Sequence, residues 1–371
     1  MDFDFSDDQE QLRDACAKWV SKGYTFERRR GIVAAGGFSR EAYGEMAELG
    51  LCGLYVPEAH GGMGMGAIEG MVVLQELGRG MVLEPLVQTL MASVLLARYA
   101  PPELRAAWLG KIASGESLVV LAQQERKARY RLEQCEATAT PGGAGWVLNG
   151  LKNVVPAGDQ ADAFIVPAMA HGKLALFLVQ ASAPGVTTRG YGLQDGSRAA
   201  DLCCSDTPAE LLTLDGLAAL EHAVDIGIAA NCAQGVGVMD QTLAMTVDYM
   251  NTRKQFGVLI SSFQALRHRV ADMKMQLELA RSMSYYASLK LQTAAPERRM
   301  ASARAKVQLG ASMRWVGQQA VQLHGGIGVT DEYIVSHYFK RLTQLEIEFG
   351  DSLHHLGEVS ERMQETAGVF A

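Results

Sequence analysis

Two clusters in the last third of the sequence combine side chains suited to a pyrophosphate. The first is Tyr249-Met250-Asn251-Thr252-Arg253-Lys254-Gln255-Phe256-Gly257, which ends a helical stretch, with Ser261-Ser262-Phe263-Gln264 opening the next. The second is Gln322-Leu323-His324-Gly325-Gly326-Ile327-Gly328, which closes a third helical stretch. An arginine fork matches two phosphate oxygens at once. A glycine pair lets backbone N–H groups come close to a phosphate. Each cluster alone also reads as plain structure. Arg253 and Gly257 suit a helix C-terminus with its cation and cap, and Gly325-Gly326 suits another cap. Together they set an arginine, a phenylalanine, two amides and exposed backbone at helix ends.

Other chemistries lack their residues. The sequence has no G-x-G-x-x-G, no G-x-x-x-x-G-K-[ST], no H-E-x-x-H and no G-x-S-x-G. Its histidines do not cluster at ligand spacing, and His354-His355 reads as surface. Cys16, Cys52, Cys135, Cys203, Cys204 and Cys232 are scattered, which suggests neither a zinc site nor a disulfide framework. A net charge of −7 gives no footprint for nucleic acid. Arg28-Arg29-Arg30 reads as a solvated face. The most apolar stretch, Gly227 to Met239, is too short to span a membrane, and Met1 to Glu10 lacks the layout of a signal peptide. These points lead us to expect a cytoplasmic protein.

The elements that must carry the clusters follow a helical, then β, then helical order. Ser6 caps a first helix through Leu12, Ala15 and Trp19, and Ser39 caps a second ending at Gly50. Helical runs are expected at Met71–Leu83, Gln88–Tyr99 and Glu103–Ala113, after the glycine-dense loop Pro57 to Gly64. Short apolar runs at Leu118–Ala122, Trp146–Leu148, Phe164–Val166 and Leu174–Val179 indicate a small antiparallel β-domain, with Asn149-Gly150 as a hairpin turn. From Gly216 onward the pattern is helical. Phe263, Leu266, Val270, Met273 and Leu277 form one stripe, and Met313, Val316, Ala320 and Leu323 another, as in a four-helix bundle. The expected domains are 1–117 (all-α), 118–215 (β) and 216–371 (four-helix bundle). The order argues against a doubly wound nucleotide fold.

On these motifs the chain resembles the acyl-CoA dehydrogenase family. Y-x-x-x-R-x-Q-F-G followed by F-Q, from Tyr249 to Gln264, and Q-x-x-G-G-x-G, from Gln322 to Gly328, are signatures of that family. Val56-Pro57-Glu58-x-x-Gly61-Gly62-x-Gly64, Glu76-Leu77-Gly78-Arg79 and the Leu109–Glu116 segment extend the likeness through the N-terminal third. The resemblance implies a tetramer with FAD across a dimer interface. It implies that Arg253, Phe256, Gln264, Gln322, Gly325 and Gly326 hold the ADP part of a flavin whose ring lies in the neighbouring subunit. It also implies α,β-desaturation of an acyl-CoA thioester, with an electron-transfer flavoprotein as acceptor.

Two departures from the family matter. Its glutamate base comes either nine residues past an arginine matching Arg341 or twenty-six residues before the one matching Arg253. Both positions are glycine here, Gly350 and Gly227. Asp351 is a weak substitute, Glu348 would need a two-residue slip, and Asp225 lies roughly 200° around the helix from Gly227. All three read as exposed carboxylates. The family's flavin-ring motif T-E-P-x-x-x-S-D is replaced by Ala122-Gln123-Gln124-Glu125-Arg126-Lys127-Ala128-Arg129, with remnants at Asn149–Lys152 and Ala161-Asp162. A subunit of this kind is similar to the small-subunit type of bacterial α2β2 members, including those named for pimeloyl-CoA. The two expectations are a dehydrogenase subunit without the usual glutamate and a non-catalytic partner that only completes the flavin site.

Overall fold

The computed structural model describes residues 5–143 and 145–367, with side chains up to Met363. The helices are α1 (Asp7–Gly23), α2 (Phe26–Ala34), α3 (Arg40–Glu48), α4 (Ala67–Arg79), α5 (Leu86–Tyr99) and α6 (Pro102–Ala113). Seven strands follow: β1 (Val119–Leu121), β2 (Thr138–Gly142), β3 (Gly145–Pro156), β4 (Ala163–Ala170), β5 (Lys173–Gln180), β6 (Val186–Gly192) and β7 (Arg198–Thr213). Then come α7 (Gly216–Thr252), the two-residue strands β8 (Lys254–Gln255) and β9 (Val258–Leu259), α8 (Gln264–Lys290), α9 (Ala295–His324), α10 (Ile334–Ile347) and α11 (Ser352–Ala367). The helical–β–helical order is the expected one. The helix starts follow the expected caps. Ser6 Oγ accepts from Gln9 N while Gln9 Oε1 accepts from Ser6 N, a capping box, and Ser39 Oγ accepts from Ala42 N.

One compact unit comprises residues 28–66 and 83–227. Its sheet runs β1-β4-β2-β3-β7-β5, with β6 on β7. Most pairings are antiparallel, whereas β1–β4 and β2–β4 are parallel. β1, β4 and β5 are buried on both faces, which accounts for their unbroken apolar runs. Gln88 Oε1, on α5, accepts from Leu121 N at 3.1 Å and satisfies a β1 donor. Asn149-Gly150 is not a turn. It lies inside β3 at a register shift, and a Cβ at Gly150 would sit 2.5 Å from that of Ala137. Glycine is there for close approach. The turn that fits the hairpin signal is His171-Gly172, both at positive φ, between β4 and β5. Arg29 is also not solvated. It is buried, and its guanidinium donates to the Asp195 carbonyl.

The other unit comprises residues up to 27, 67–82 and 228 onward. α8 and α9 pack lengthwise, with α10 and α11 against α9. α4 meets α7 at glycines: a Cβ on Gly237 would lie 1.9 Å from the Gln75 carbonyl oxygen. The α9 stripe is buried as expected. The α8 stripe is buried only at Met273 and Leu277, because Phe263 is exposed and Leu266 and Val270 are half-buried. The open half adjoins the Tyr249–Gln264 cluster. Among the described residues no helix is long and apolar enough to cross a membrane.

Candidate functional site

The first cluster folds as a hairpin. Lys254 pairs with Leu259 and Gln255 with Val258, so Phe256-Gly257 forms a two-residue turn with φ of +53° and +79°. These angles match the turn type that suits strand twist. Phe256 holds a conformation that favours glycine, and its ring is 91% exposed, edge-on to Phe263 at 6.2 Å. A bulky residue held in that region costs about 1–3 kcal/mol, and here its ring lies open among the described residues. Arg253 is exposed, and its guanidinium pairs with no side chain among the described residues. Gln264 is the exposed first residue of α8.

The second cluster ends α9. Gln322, Gly325 and Gly326 are exposed. Gly325 adopts φ +63°. No atom lies within 4 Å of a Cβ built on Gly326, and its φ is not positive. The chain itself therefore gives no reason for glycine at 326. Tyr249 joins the two clusters. Its ring stacks on His324 at 4.4 Å, and its hydroxyl donates to the His324 carbonyl at 3.3 Å. His324 Nδ1 bonds to the Ala320 carbonyl at 2.8 Å, and burial holds the imidazole below its usual range. The neutral ring donates from Nδ1. Arg269 Nη1 ties α8 to Gln319 of α9 at 2.6 Å. A cavity of about 310 Å³ beside the hairpin is lined by Met250, Asn251, Ser261 and Arg267, among others.

The turn between α10 and α11 is built against a side chain at 350. Gly350 adopts φ +112°, and its Cβ would lie 2.6 Å from both His354 Cδ2 and His355 Nε2. His355 is buried, not on the surface, and burial plus nearby Lys306 lowers it to about 3. Asp351 Oδ1 accepts from His354 N at 2.8 Å and so caps α11. Glu348 Oε2 accepts from Asn231 Nδ2 at 3.1 Å, and Arg341 lies 3.4 Å from its other oxygen. Asp225 is buried. None of the three carboxylates is the exposed group that the sequence suggested. Gly227 is buried within α7.

Lys306 underlies this turn. Wholly buried, its Nζ donates to the carbonyls of Leu345 at 2.6 Å and Glu348 at 2.5 Å. Desolvation lowers its pKa to about 8, from 10.5. The unfolded chain therefore holds more protons than the folded one between about pH 8 and 10.5. Stability is expected to rise with pH across that window and to level off below about pH 8, where both states hold the proton. Urea midpoints at both ends of the window should show this slope, and Lys306→Met should flatten it. An unchanged slope would mean that Lys306 titrates normally.

The family description "Acyl-CoA dehydrogenase, N-terminal domain" matches residues 6–116, and "Acyl-CoA dehydrogenase, C-terminal domain" matches 215–364. The chain is 30% identical over 355 residues to acyl-CoA dehydrogenase fadE12 of Mycobacterium bovis, covering 89% of each. This chain is a member of the acyl-CoA dehydrogenase family. Among solved structures it is similar to the ChsE4-ChsE5 complex from Mycobacterium tuberculosis, at 27% identity and TM-score 0.90, covering 98% of this chain and 99% of that one. It is also similar to butyryl-CoA dehydrogenase from Megasphaera elsdenii, at 25% identity and TM-score 0.89, covering 98% and 100%. The acyl-CoA dehydrogenases are flavoprotein oxidoreductases acting on CH–CH bonds, and the family binds FAD.

In this acyl-CoA dehydrogenase the segment after β1 is organised around Glu125. Its Oε1 lies 2.6 Å from Lys152 Nζ on β3, with the two side chains 4% and 2% exposed. The Ala137 N–H also donates to Oε1 at 3.1 Å, and the Glu136 N–H donates to Oε2 at 2.6 Å. Sequence reading passed over this pair because its members stand 27 positions apart. It passed over Lys306 too, although Ser302, Lys306, Leu309 and Met313 step by four, three and four along the buried stripe of α9.

Proposed function

We propose that this chain is the subunit without a base in a heteromeric acyl-CoA dehydrogenase. Arg253, Phe256, Gln264, Gln322, Gly325 and Gly326 would supply the ADP half of a flavin site to a partner chain that carries the glutamate. Bound FAD accepts the hydride when the acyl-CoA thioester is desaturated. This chain's part is to bind and orient the nucleotide: the arginine fork for the pyrophosphate, the glycine backbone for close approach, the exposed phenylalanine as an apolar wall. The observation that carries the reading is Gly350, whose φ of +112° and two histidine neighbours leave no place for a base. The likeness to the ChsE4-ChsE5 complex, built from two differently named chains, supports it. An electron-transfer flavoprotein is the expected acceptor.

One observation favours a second reading, in which the chain acts alone with Glu348 as base. Asn231, which holds Glu348, lies four residues after Gly227 and so near it on the same side of α7. The two readings separate on the visible spectrum of the purified chain, alone and co-expressed with an acyl-CoA dehydrogenase chain retaining a glutamate. A colourless chain that gains one flavin per heteromeric pair is expected. Arg253→Ala should then weaken FAD retention by about ten- to a hundredfold, the loss of a charged hydrogen bond. A yellow homomer that acyl-CoA bleaches, and that Glu348→Gln silences, would replace the first reading with the second.

A further inference from the structure

Cys135 adds a third group to the Glu125–Lys152 pair. Its Sγ lies 3.5 Å from Lys152 Nζ, 3.3 Å from Glu125 Oε1 and 3.4 Å from the Pro167 carbonyl. Lys152 is buried, while Cys135 is half-buried. A buried amine in contact with a half-buried thiol, with a carboxylate touching both, sets a nucleophile, an oxidisable sulfur and a proton acceptor side by side. A lysine normally keeps its charge in water, and neither nucleotide cluster uses these residues.

We infer that Cys135 and Lys152 form a modification site, joined by a nitrogen–sulfur bond when the chain meets hydrogen peroxide. Peroxide first oxidises the Cys135 thiol to sulfenic acid, releasing one water. The Lys152 ammonium gives a proton to Glu125, 2.6 Å away, and the freed amine attacks the sulfur. The S–O bond breaks and a second water leaves. The product, Cys–S–NH–Lys, has two hydrogens fewer than the reduced pair, and peroxide has taken the two electrons. Thiols reverse it by attack on sulfur.

The bond has a structural consequence. It leaves an uncharged nitrogen at Lys152 and the transferred proton on Glu125, so the N–H groups of Glu136 and Ala137 face a neutral carboxyl in place of a carboxylate. The ion pair and its charge-assisted hydrogen bonds are lost together, which weakens what held the segment. Residues 122–137, which include Arg126, Lys127, Arg129 and Arg131, should loosen. The inference is independent of the reading proposed for the flavin half-site.

The test is peptide mapping of the full chain after hydrogen peroxide treatment and alkylation. The expected result is a Cys135 peptide joined to a Lys152 peptide, two hydrogens lighter than their sum and released by dithiothreitol. Tryptic cleavage within residues 122–137 should quicken on oxidation and slow again on reduction. Lys152→Arg keeps the charge beside Glu125 and should leave Cys135 as a sulfenic acid that dimedone traps. Cys135→Ser, nearly the same size, should abolish linkage while the chain stays folded. Wild-type Cys135 found only as the dimedone adduct would overturn the inference. So would an unoxidised Cys135 beside an oxidised, exposed Cys203, or a linked pair carrying an added oxygen.

Discussion

Lys152→Ala is expected to destabilise the chain by about 3–5 kcal/mol, a large share of a typical domain's stability. The figure follows from burial. The Lys152 and Glu125 side chains are nearly inaccessible, and the substitution leaves a carboxylate in the interior without its cation. Glu125 cannot simply take up a proton at no cost. Burial alone would raise its pKa, but Lys152 and the N–H groups of Glu136 and Ala137 hold it below the ordinary value. The stabilisation is therefore present above the unfolded carboxylate range and is lost as pH falls through the lowered folded value. Glu125→Gln with Lys152→Met should recover part of the single-mutant loss, since no charge stays buried and the amide oxygen still accepts from one of those two N–H groups. Urea unfolding of the parent and the two variants measures this. A loss below about 1 kcal/mol for Lys152→Ala would mean that water reaches the pair.

The legible parts of this protein are those encoded in local pattern. Ser6 and Ser39 sit directly before apolar-periodic stretches, so their caps show in the sequence. The strands β1, β4 and β5 show as apolar runs because both faces are buried. The six residues expected to hold the nucleotide lie at the ends of α7, α8 and α9 and in the hairpin between the first two, and the joining of the two clusters by Tyr249 and His324 could be read only from the fold. Local pattern misleads where tertiary contact overrides it. Asn149-Gly150 has turn chemistry, yet Ala137 packs against it inside a strand. Arg29 and His355 have surface chemistry, yet each is buried and bonded to a backbone carbonyl. The open half of the α8 stripe is a different case. Phe263, Leu266 and Val270 keep core spacing without full burial, next to the hairpin of Phe256 and Gly257.

Restoring the family glutamate as Gly350→Glu should fail in an informative way. The backbone there costs a non-glycine residue about 1–3 kcal/mol. A Cβ 2.6 Å from two histidines adds an overpacking cost of about 1–3 kcal/mol. His355 cannot easily yield, because its Nε2 holds the Phe349 carbonyl at 3.0 Å while Lys306 binds that of Glu348 from beneath. The variant should melt well below the parent and gain no desaturase activity, alone or with a partner. Gly350→Ala should show nearly the same stability loss, since the clash begins at Cβ. Gly227 sits in a helix without positive φ, where replacing glycine gains helix propensity. The comparison therefore separates two histories for the missing base. If Gly350→Glu keeps parental stability and its flavin is bleached by acyl-CoA, position 350 is merely vacant and one substitution makes the chain catalytic. If it unfolds as expected, the α10–α11 turn has been rebuilt around glycine, and the base must come from another chain or another position.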